Sequence, residues 1–321
     1  MIRRLLASIV TLWLVVSLIF LIFFVLPGGT SKKSPGGFSP VTQLLAGRVP
    51  GAEIRERIQE ELGLNRPVIV QYRDYLWRLA HGDLGVAYRV REDVPVWPLV
   101  RSTIRPTVEL ALGASAIFLG AGLALGVLAA IRPRWLSVRS AMAASYFFVA
   151  MPSFAVGAFL LVLLSFGDMY PVGAYRPMAE GVWNWTKPMI APWFVLALPF
   201  IPMYARLVRG GLKDAAGADY IRTAEAKGLG EREVVRQELR ASITPVVTLY
   251  GLNLGALLGG SVVVETVFEV PGMGLLISST AFVGDFPVVA GVTIVASVAV
   301  ILSNLAVDLA YAWIDPRVRL Q

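Results

Sequence analysis

Residues able to do chemistry are sparse in this 321-residue chain, and their spacing excludes most catalytic designs. There is no cysteine and a single histidine, His81. A disulfide framework, thiolate metal ligation and a cysteine nucleophile are therefore absent, and a histidine-rich metal site is excluded. A protease working inside a membrane needs serine with histidine, paired acids, or the two histidines of an H-E-x-x-H zinc helix. His81 cannot supply the first or third, and the apolar stretches hold no pair of aspartates. Lys32, Lys33, Lys187, Lys213 and Lys227 all follow residues other than glycine, so the phosphate-binding pattern G-x-x-x-x-G-K-[ST] is missing as well. The chain is expected to carry no cofactor or metal and to bind no ATP through that motif. Ion-coupled carriers place ionisable groups at the middle of their spans. Here Glu109 lies near one end of an apolar stretch and Asp308 at the boundary of another.

The elements that must position these residues are membrane spans. The chain is 56% hydrophobic and 16% charged, against roughly 45–50% and 25% in ordinary globular chains, and its mean hydropathy is +0.67. A spanning helix needs about 20 mostly apolar residues. Leu5–Leu26 meets this without a charge. It is too long for a signal peptide, and Phe23-Phe24-Val25-Leu26-Pro27 offers no small-residue cleavage site. Five more spans are expected at Thr107–Ile131, Ala141–Phe166, Met189–Tyr204, Thr244–Val264 and Phe286–Val307. The fourth is short and holds Pro192, Pro199 and Pro202. Such a span needs neighbouring helices to cover its lost backbone bonds, so it is expected to be buried among the others.

The formal net charge of +7 reads as a topology signal rather than a nucleic-acid footprint. With the N-terminus inside, segments 1–4, 132–140, 205–243 and 308–321 carry 15 basic and 8 acidic residues. Loop 265–285 then faces outward with no lysine or arginine. Short loops rich in lysine and arginine stay cytoplasmic, so both termini are expected inside. Three regions follow: an N-terminal spanning helix at 1–27, an external helical segment at 28–106, and a core at 107–321 with five spans.

In the external segment, Gly28–Pro40 reads as a linker, and Ala52–Leu62 as a helix with Ile54, Ile58 and Leu62 on one stripe. A second helix is expected near Val68–Ala80, stopping at His81-Gly82-Asp83-Leu84-Gly85. It reads as a surface cap whose aromatics lie at the interface, or as a docking surface for an outer partner. The inner loop 205–243 is densely charged. Asp214–Lys227 reads as a helix with Ile221 and Ala224 on one side; Gly228-Leu229-Gly230 breaks it, and Glu231–Arg240 resumes it. A solvated loop and a small-residue helix docked on another chain both fit this pattern. Gly251, Gly255 and Gly259, like Gly122 and Gly126, recur at four-residue spacing. Such glycines let helices approach closely; together with Asn253 they are candidates for helix packing or for lining a path.

At 219–229 the sequence resembles the coupling-loop signature of ABC importer permeases of the dipeptide/oligopeptide/nickel family. The residues are Asp219, Tyr220, Ile221, Arg222, Thr223, Ala224, Glu225, Ala226, Lys227, Gly228 and Leu229. The broad importer pattern E-A-A, three residues, Gly falls on Arg222, Thr223, Ala224 and Gly228; Arg222 and Thr223 depart from it but match the peptide-permease form R-T-A-x-A-K-G. The later I-x-L-P portion is replaced by Glu238-Leu239-Arg240-Ala241, with the proline at Pro245, which also resembles the peptide subgroup. Further likenesses run in order along the chain. They are Glu61–Pro67 and Gly82–Gly85, Thr107-Val108-Glu109-Leu110, Val264–Phe268 with Pro271–Gly274, and Asp308-Leu309 with Asp315–Arg319.

The resemblance implies an all-α type I ABC importer permease with six transmembrane helices, the first permease of a pair, in a bacterial or archaeal cytoplasmic membrane. It implies a homologous second permease, two ATPase subunits that bind ATP and Mg, an external solute-binding protein and no nucleic acid. Residues 219, 220 and 222–229 would form the helix seated on one ATPase. Peptides are the leading substrate, with nickel chelates and oligosaccharides also carried in the family. The rival reading is a six-span channel or facilitator without an ATPase, which would show polar rings or charged constrictions in its spans; none is evident.

Overall fold

The computed structural model describes residues 2–25, 66–90, 93–165 and 170–314. The expected linker at Gly28–Pro40, the helix at Ala52–Leu62 and the ending at Asp315–Arg319 lie outside the described residues.

The described chain is helical apart from one small hairpin. Helix α1 (Ile2–Phe20) runs into a π-helical turn, Leu21–Val25. Helix α2 (Val68–Ala80) ends at Gly82, whose φ of +78° turns the chain. Strands β1 (Val86–Ala87) and β2 (Val94–Pro95) pair antiparallel, Val86 opposite Pro95 and Ala87 opposite Val94. Then follow α3 (Val96–Ile131), α4 (Leu136–Ala150), α5 (Ser153–Ser165), a 3₁₀ turn at Met178–Glu180, α6 (Val182–Ala197) and α7 (Phe200–Ala216). The remainder is α8 (Asp219–Ala226), α9 (Glu231–Gly260), α10 (Val262–Phe268), α11 (Met273–Val283) and α12 (Phe286–Ile314).

Among the described residues three helices, Leu6–Val25, Val96–Ile131 and Phe286–Val307, are each long and apolar enough to cross a bilayer. Four more candidates are bent pairs, and one of them refines an expected span. Residues 141–166 were expected as one continuous span; instead α4 and α5 meet at 109°. Pro152 has no N–H to donate and drives its predecessor out of the helical region, and Met151 accordingly sits at φ −90°, ψ 134°. The α6–α7 pair bends by only 57° at Pro199, which keeps helical angles. This fourth span is more extensive than Met189–Tyr204, and α6 is buried at Met189, Ala191, Pro192, Val195, Leu196 and Ala197. The fourth pair, α10–α11 at 85°, lies where sequence alone suggests an outer loop.

The chain divides into two compact units, Met1–Arg105 with Gly272–Ala299, and Pro106–Pro271 with Val300–Gln321. In the first, α1 exposes Leu6, Ile9, Val10, Trp13 and Leu14 and buries Val16, Ile19 and Phe20. The Phe20 ring lies 5.2 Å from Tyr72 and 5.4 Å from Tyr75 of α2. The expected aromatic helix at 68–80 is thus fastened to the first span. In the second unit the core gathers around Phe118, whose ring is 5.0 Å from Phe200 and 4.9 Å from Tyr204. Helices α3 and α7 come together because Gly122 and Gly126 have no side chain. A Cβ at Gly122 would lie 2.7 Å from Tyr204 Cβ, and one at Gly126 would lie 2.7 Å from the Ala205 carbonyl oxygen.

Candidate functional site

The inner segment 205–243 is folded as three helices. α7 continues the fourth span to Ala216, so Asp214 belongs to its last turn rather than opening the next helix. The chain turns at Gly217-Ala218, and α8 begins at Asp219, with the Ile221 N–H donating to the Ala218 carbonyl at 3.0 Å. α8 closes in a Schellman motif: Gly228 takes φ +80° and the Leu229 N–H reaches the Ala224 carbonyl at 3.2 Å. The long helix α9 follows from Glu231.

α8 packs on both α7 and α9. Ile221 is fully buried and Ala224 nearly so, while Asp219, Tyr220, Arg222, Thr223, Ala226, Lys227 and Gly228 are exposed and Leu229 is half-buried. Glu225 belongs to the same helix. The Asp219–Arg222 ion pair is long, 4.0 Å, and fully solvated, so it adds little. An open hollow of about 430 Å³ lies between Tyr220, Thr223, Lys227 and Leu229 of this segment and Gln237 of α9. The result is an eight-residue helix held by two apolar anchors, Ile221 and Ala224, with a polar, aromatic-bearing outer face.

The glycine series lies elsewhere. A Cβ at Gly251 would collide with Val307, and one at Gly255 would lie 3.2 Å from both Val300 Cγ1 and Asn304 Oδ1. These two glycines therefore set the approach of α9 to the later half of α12; Gly259 occupies the next position on α9. Asn253 does not join them: its Nδ2 donates to the Tyr204 hydroxyl at 3.0 Å, tying α9 to α7.

Two buried carboxylates, Glu265 and Asp285, and the partners of the half-buried Glu109 lie beyond what the sequence shows. Glu265, fully buried, accepts from Ser261 Oγ at 2.6 Å and from Thr107 Oγ1 at 2.8 Å. It joins the first turn of α10 to α3 just beyond Pro106. Glu109 was noted as an isolated charge; its Oε2 accepts from the Tyr175 hydroxyl at 2.8 Å and Trp185 Nε1 at 2.7 Å. Its backbone oxygen accepts from Trp193 Nε1 at 3.0 Å. In the other unit, Asp285 Oδ2 accepts the backbone N–H groups of Tyr88, Arg89 and Val90 at 3.1, 2.8 and 3.0 Å. The available signal was acid beside hydroxyl or aromatic residues in segments already singled out, Thr107–Leu110 and Val264–Phe268. In one dimension Glu265 and Asp285 read as charges of the outer loop 265–285 and Glu109 as the single charge of the second span.

Prolines in α6 leave a related mark. Pro192 cannot donate to the Pro188 carbonyl one turn back, and the Tyr170 hydroxyl donates to it instead. Burial pushes the Tyr170 phenol well above its usual range, keeping it protonated. Among the described residues no group of three or more acids and histidines is arranged to hold a metal ion.

These features define a polytopic, all-helical membrane protein that displays a short polar helix between two of its longer ones. The chain belongs to the family of binding-protein-dependent transport system inner membrane components. That family's model matches residues 122–320, and the model of its N-terminal part matches residues 1–91. Similar proteins include the oligopeptide transport system permease protein AppB of Bacillus subtilis (strain 168), 34% identical over 99% of this chain and 98% of that protein. The glutathione transport system permease protein GsiC of Escherichia coli O6:H1 is 35% identical over 99% and 98% of the two lengths. A putative peptide transport system permease protein of Brucella abortus (strain 2308) is 33% identical over the same shares. The chain is therefore a permease subunit of an ABC importer, a multi-pass inner-membrane protein and not an enzyme. Membership entails ATPase and substrate-binding protein partners in general.

Proposed function

We propose that this chain is one half of a paired permease that moves peptides inward, driven by ATP and Mg bound on two cytoplasmic ATPase subunits. A homologous permease forms the other half, and an external solute-binding protein delivers the peptide. Both termini are cytoplasmic, residues 28–106 face outward, and residues 107–321 form the core. The peptide assignment is supported by relatives named for oligopeptides, peptides and glutathione.

The observation that carries the reading is α8. It presents Tyr220, Arg222, Thr223 and Lys227 outward while Ile221 and Ala224 hold it to α7 and α9. A partner ATPase gripping that face would move the two longer helices as it closes. ATP would then bias a two-state arrangement of the spans that this chain only transmits. Asp219, Glu225, Ala226, Gly228 and Leu229 complete the coupling segment, and Gly251, Gly255, Gly259 and Asn253 serve helix packing along α9.

The test is Gly228→Trp in the assembled transporter. Among the described residues no neighbouring atom lies within 4 Å of a Cβ placed there, so the indole would obstruct the partner. ATP hydrolysis should persist while peptide uptake falls to background. Normal uptake at normal expression would overturn the coupling assignment.

A further inference from the structure

A second site lies where α3 ends and α4 begins, beside α7. A cavity of about 340 Å³ is lined by Arg139 and Arg209, by the apolar side chains of Ala129, Val138 and Met142, and by Tyr146. Neither arginine has an ion-pair or hydrogen-bond partner for its guanidinium among the described residues, and Arg209 Nε is fully buried without an acceptor. Segment 132–140 adds Arg132 and Arg134 and contains no acid. Arg206, one turn before Arg209, stacks over the Tyr146 ring at 5.7 Å, and Arg132 over Trp135 at 6.0 Å.

Arg209 is half-buried with its Nε shut off from water and without an acceptor, a costly arrangement that an anion would complete, and the exposed Arg139 lines the same cavity and adds a second positive charge. The planar fork of arginine suits phosphate oxygens. The surroundings identify the source of that phosphate. Trp135 and Leu136, in the turn between the lining residues Pro133 and Val138, are exposed, and tryptophan and tyrosine beside arginine mark the headgroup level of a bilayer. Basic pockets between spanning helices on the cytoplasmic side take acidic headgroups. A soluble phosphate ion would leave the wall of Ala129, Val138 and Met142 bare, whereas an acyl chain covers it. We infer that this cavity binds an anionic phospholipid of the inner leaflet, its phosphate between Arg139 and Arg209 and a chain along Val138 and Met142. The inference rests on the topology proposed above, which puts this cavity on the cytoplasmic side, but not on the coupling assignment, although Arg209 lies on α7, the helix that leads into α8.

The test uses the full-length chain, purified with its co-purifying subunits and reconstituted in nanodiscs of phosphatidylglycerol with phosphatidylcholine. Native mass spectrometry after detergent release counts retained lipids. The wild type should retain phosphatidylglycerol in preference to phosphatidylcholine. Arg139→Gln with Arg209→Gln should lower that retention by at least about tenfold, the loss of charge-assisted bonds. Excess inorganic phosphate should leave wild-type retention unchanged. Equal retention of the two lipids, full retention by the double variant, or displacement by inorganic phosphate would each overturn the site. A photo-crosslinking residue at Ala143 keeps both arginines and guards against misfolding of the double variant. It should capture phosphatidylglycerol, and capture of protein alone would overturn the inference.

Discussion

Two turns of this molecule are fastened in opposite ways. At Asp285 one buried carboxylate oxygen gathers three consecutive backbone N–H groups from Tyr88 to Val90. The Arg89 guanidinium also donates to the Val283 carbonyl. Among the described residues, α8 has two apolar anchors, one solvated ion pair and a glycine cap. The first turn draws its hydrogen bonds from within its own chain, through Oδ2 alone. The second shows few side-chain contacts on its polar face among the described residues, the face to which we assign the ATPase. Under the proposed coupling role, internal hydrogen bonding separates an element that holds a shape from one that transmits a movement. Substitutions at the two places should fail in different ways.

The largest expected effect is at Asp285. Asp285→Ala leaves three part-buried backbone donors without their acceptor, and a donor cut off from water costs roughly 1–3 kcal/mol. A loss of about 3 kcal/mol or more should appear as a large drop in unfolding temperature in detergent. Asp285→Asn should be milder, because Oδ1 has no partner among the described residues and an amide can keep an oxygen at the Oδ2 position. Equal effects of the two substitutions would break the hydrogen-bond account.

Next comes Ile221→Ala. Removing a fully buried isoleucine costs about 2–4 kcal/mol, but here the loss falls on the seating of an eight-residue helix. Uptake should drop while the unfolding temperature of the remaining bundle barely moves. If Ile221→Ala lowered that temperature as far as Asp285→Ala does, α8 would be part of the global core and the contrast would collapse.

Much of this architecture was legible in the sequence because it rests on hydrophobicity and glycine. Charge-free runs marked the spans, Ile221 and Ala224 marked the inner face of α8, and Gly228 marked its end. What escaped depends on pairing across distance. Thr107 and Glu265 are 158 residues apart, and no local pattern joins them. The 109° break between α4 and α5 was under-read for another reason. A lone Pro152 is compatible with a mild kink, as Pro199 shows, and tertiary packing decides between the two. The α8 boundary was missed by one turn because Asp214 and Asp219 are equally good openings by residue type.

A smaller effect tests the glycine face of α9. Gly251→Ala forces a methyl group against Val307, and overpacking costs about 1–3 kcal/mol. Val307→Ala should restore most of that loss in the double variant, measured by the same unfolding assay. Failure of the rescue would mean that α9 and α12 do not meet at these residues.

The smallest effect separates strain from obstruction at Gly228. A φ of +80° disfavours any residue with a Cβ by about 1–2 kcal/mol, with asparagine the usual exception. Gly228→Asn should therefore leave uptake nearly intact, and Gly228→Ala should lower it modestly by loosening the cap. Strain alone would make Gly228→Trp resemble Gly228→Ala, since both pay the same backbone penalty in open space. Obstruction of a partner would instead affect the tryptophan variant alone, with hydrolysis running on without uptake. The ratio of ATP hydrolysed to peptide transported, compared across the three variants, decides between a helix that is merely weakened and one that is held away from its partner.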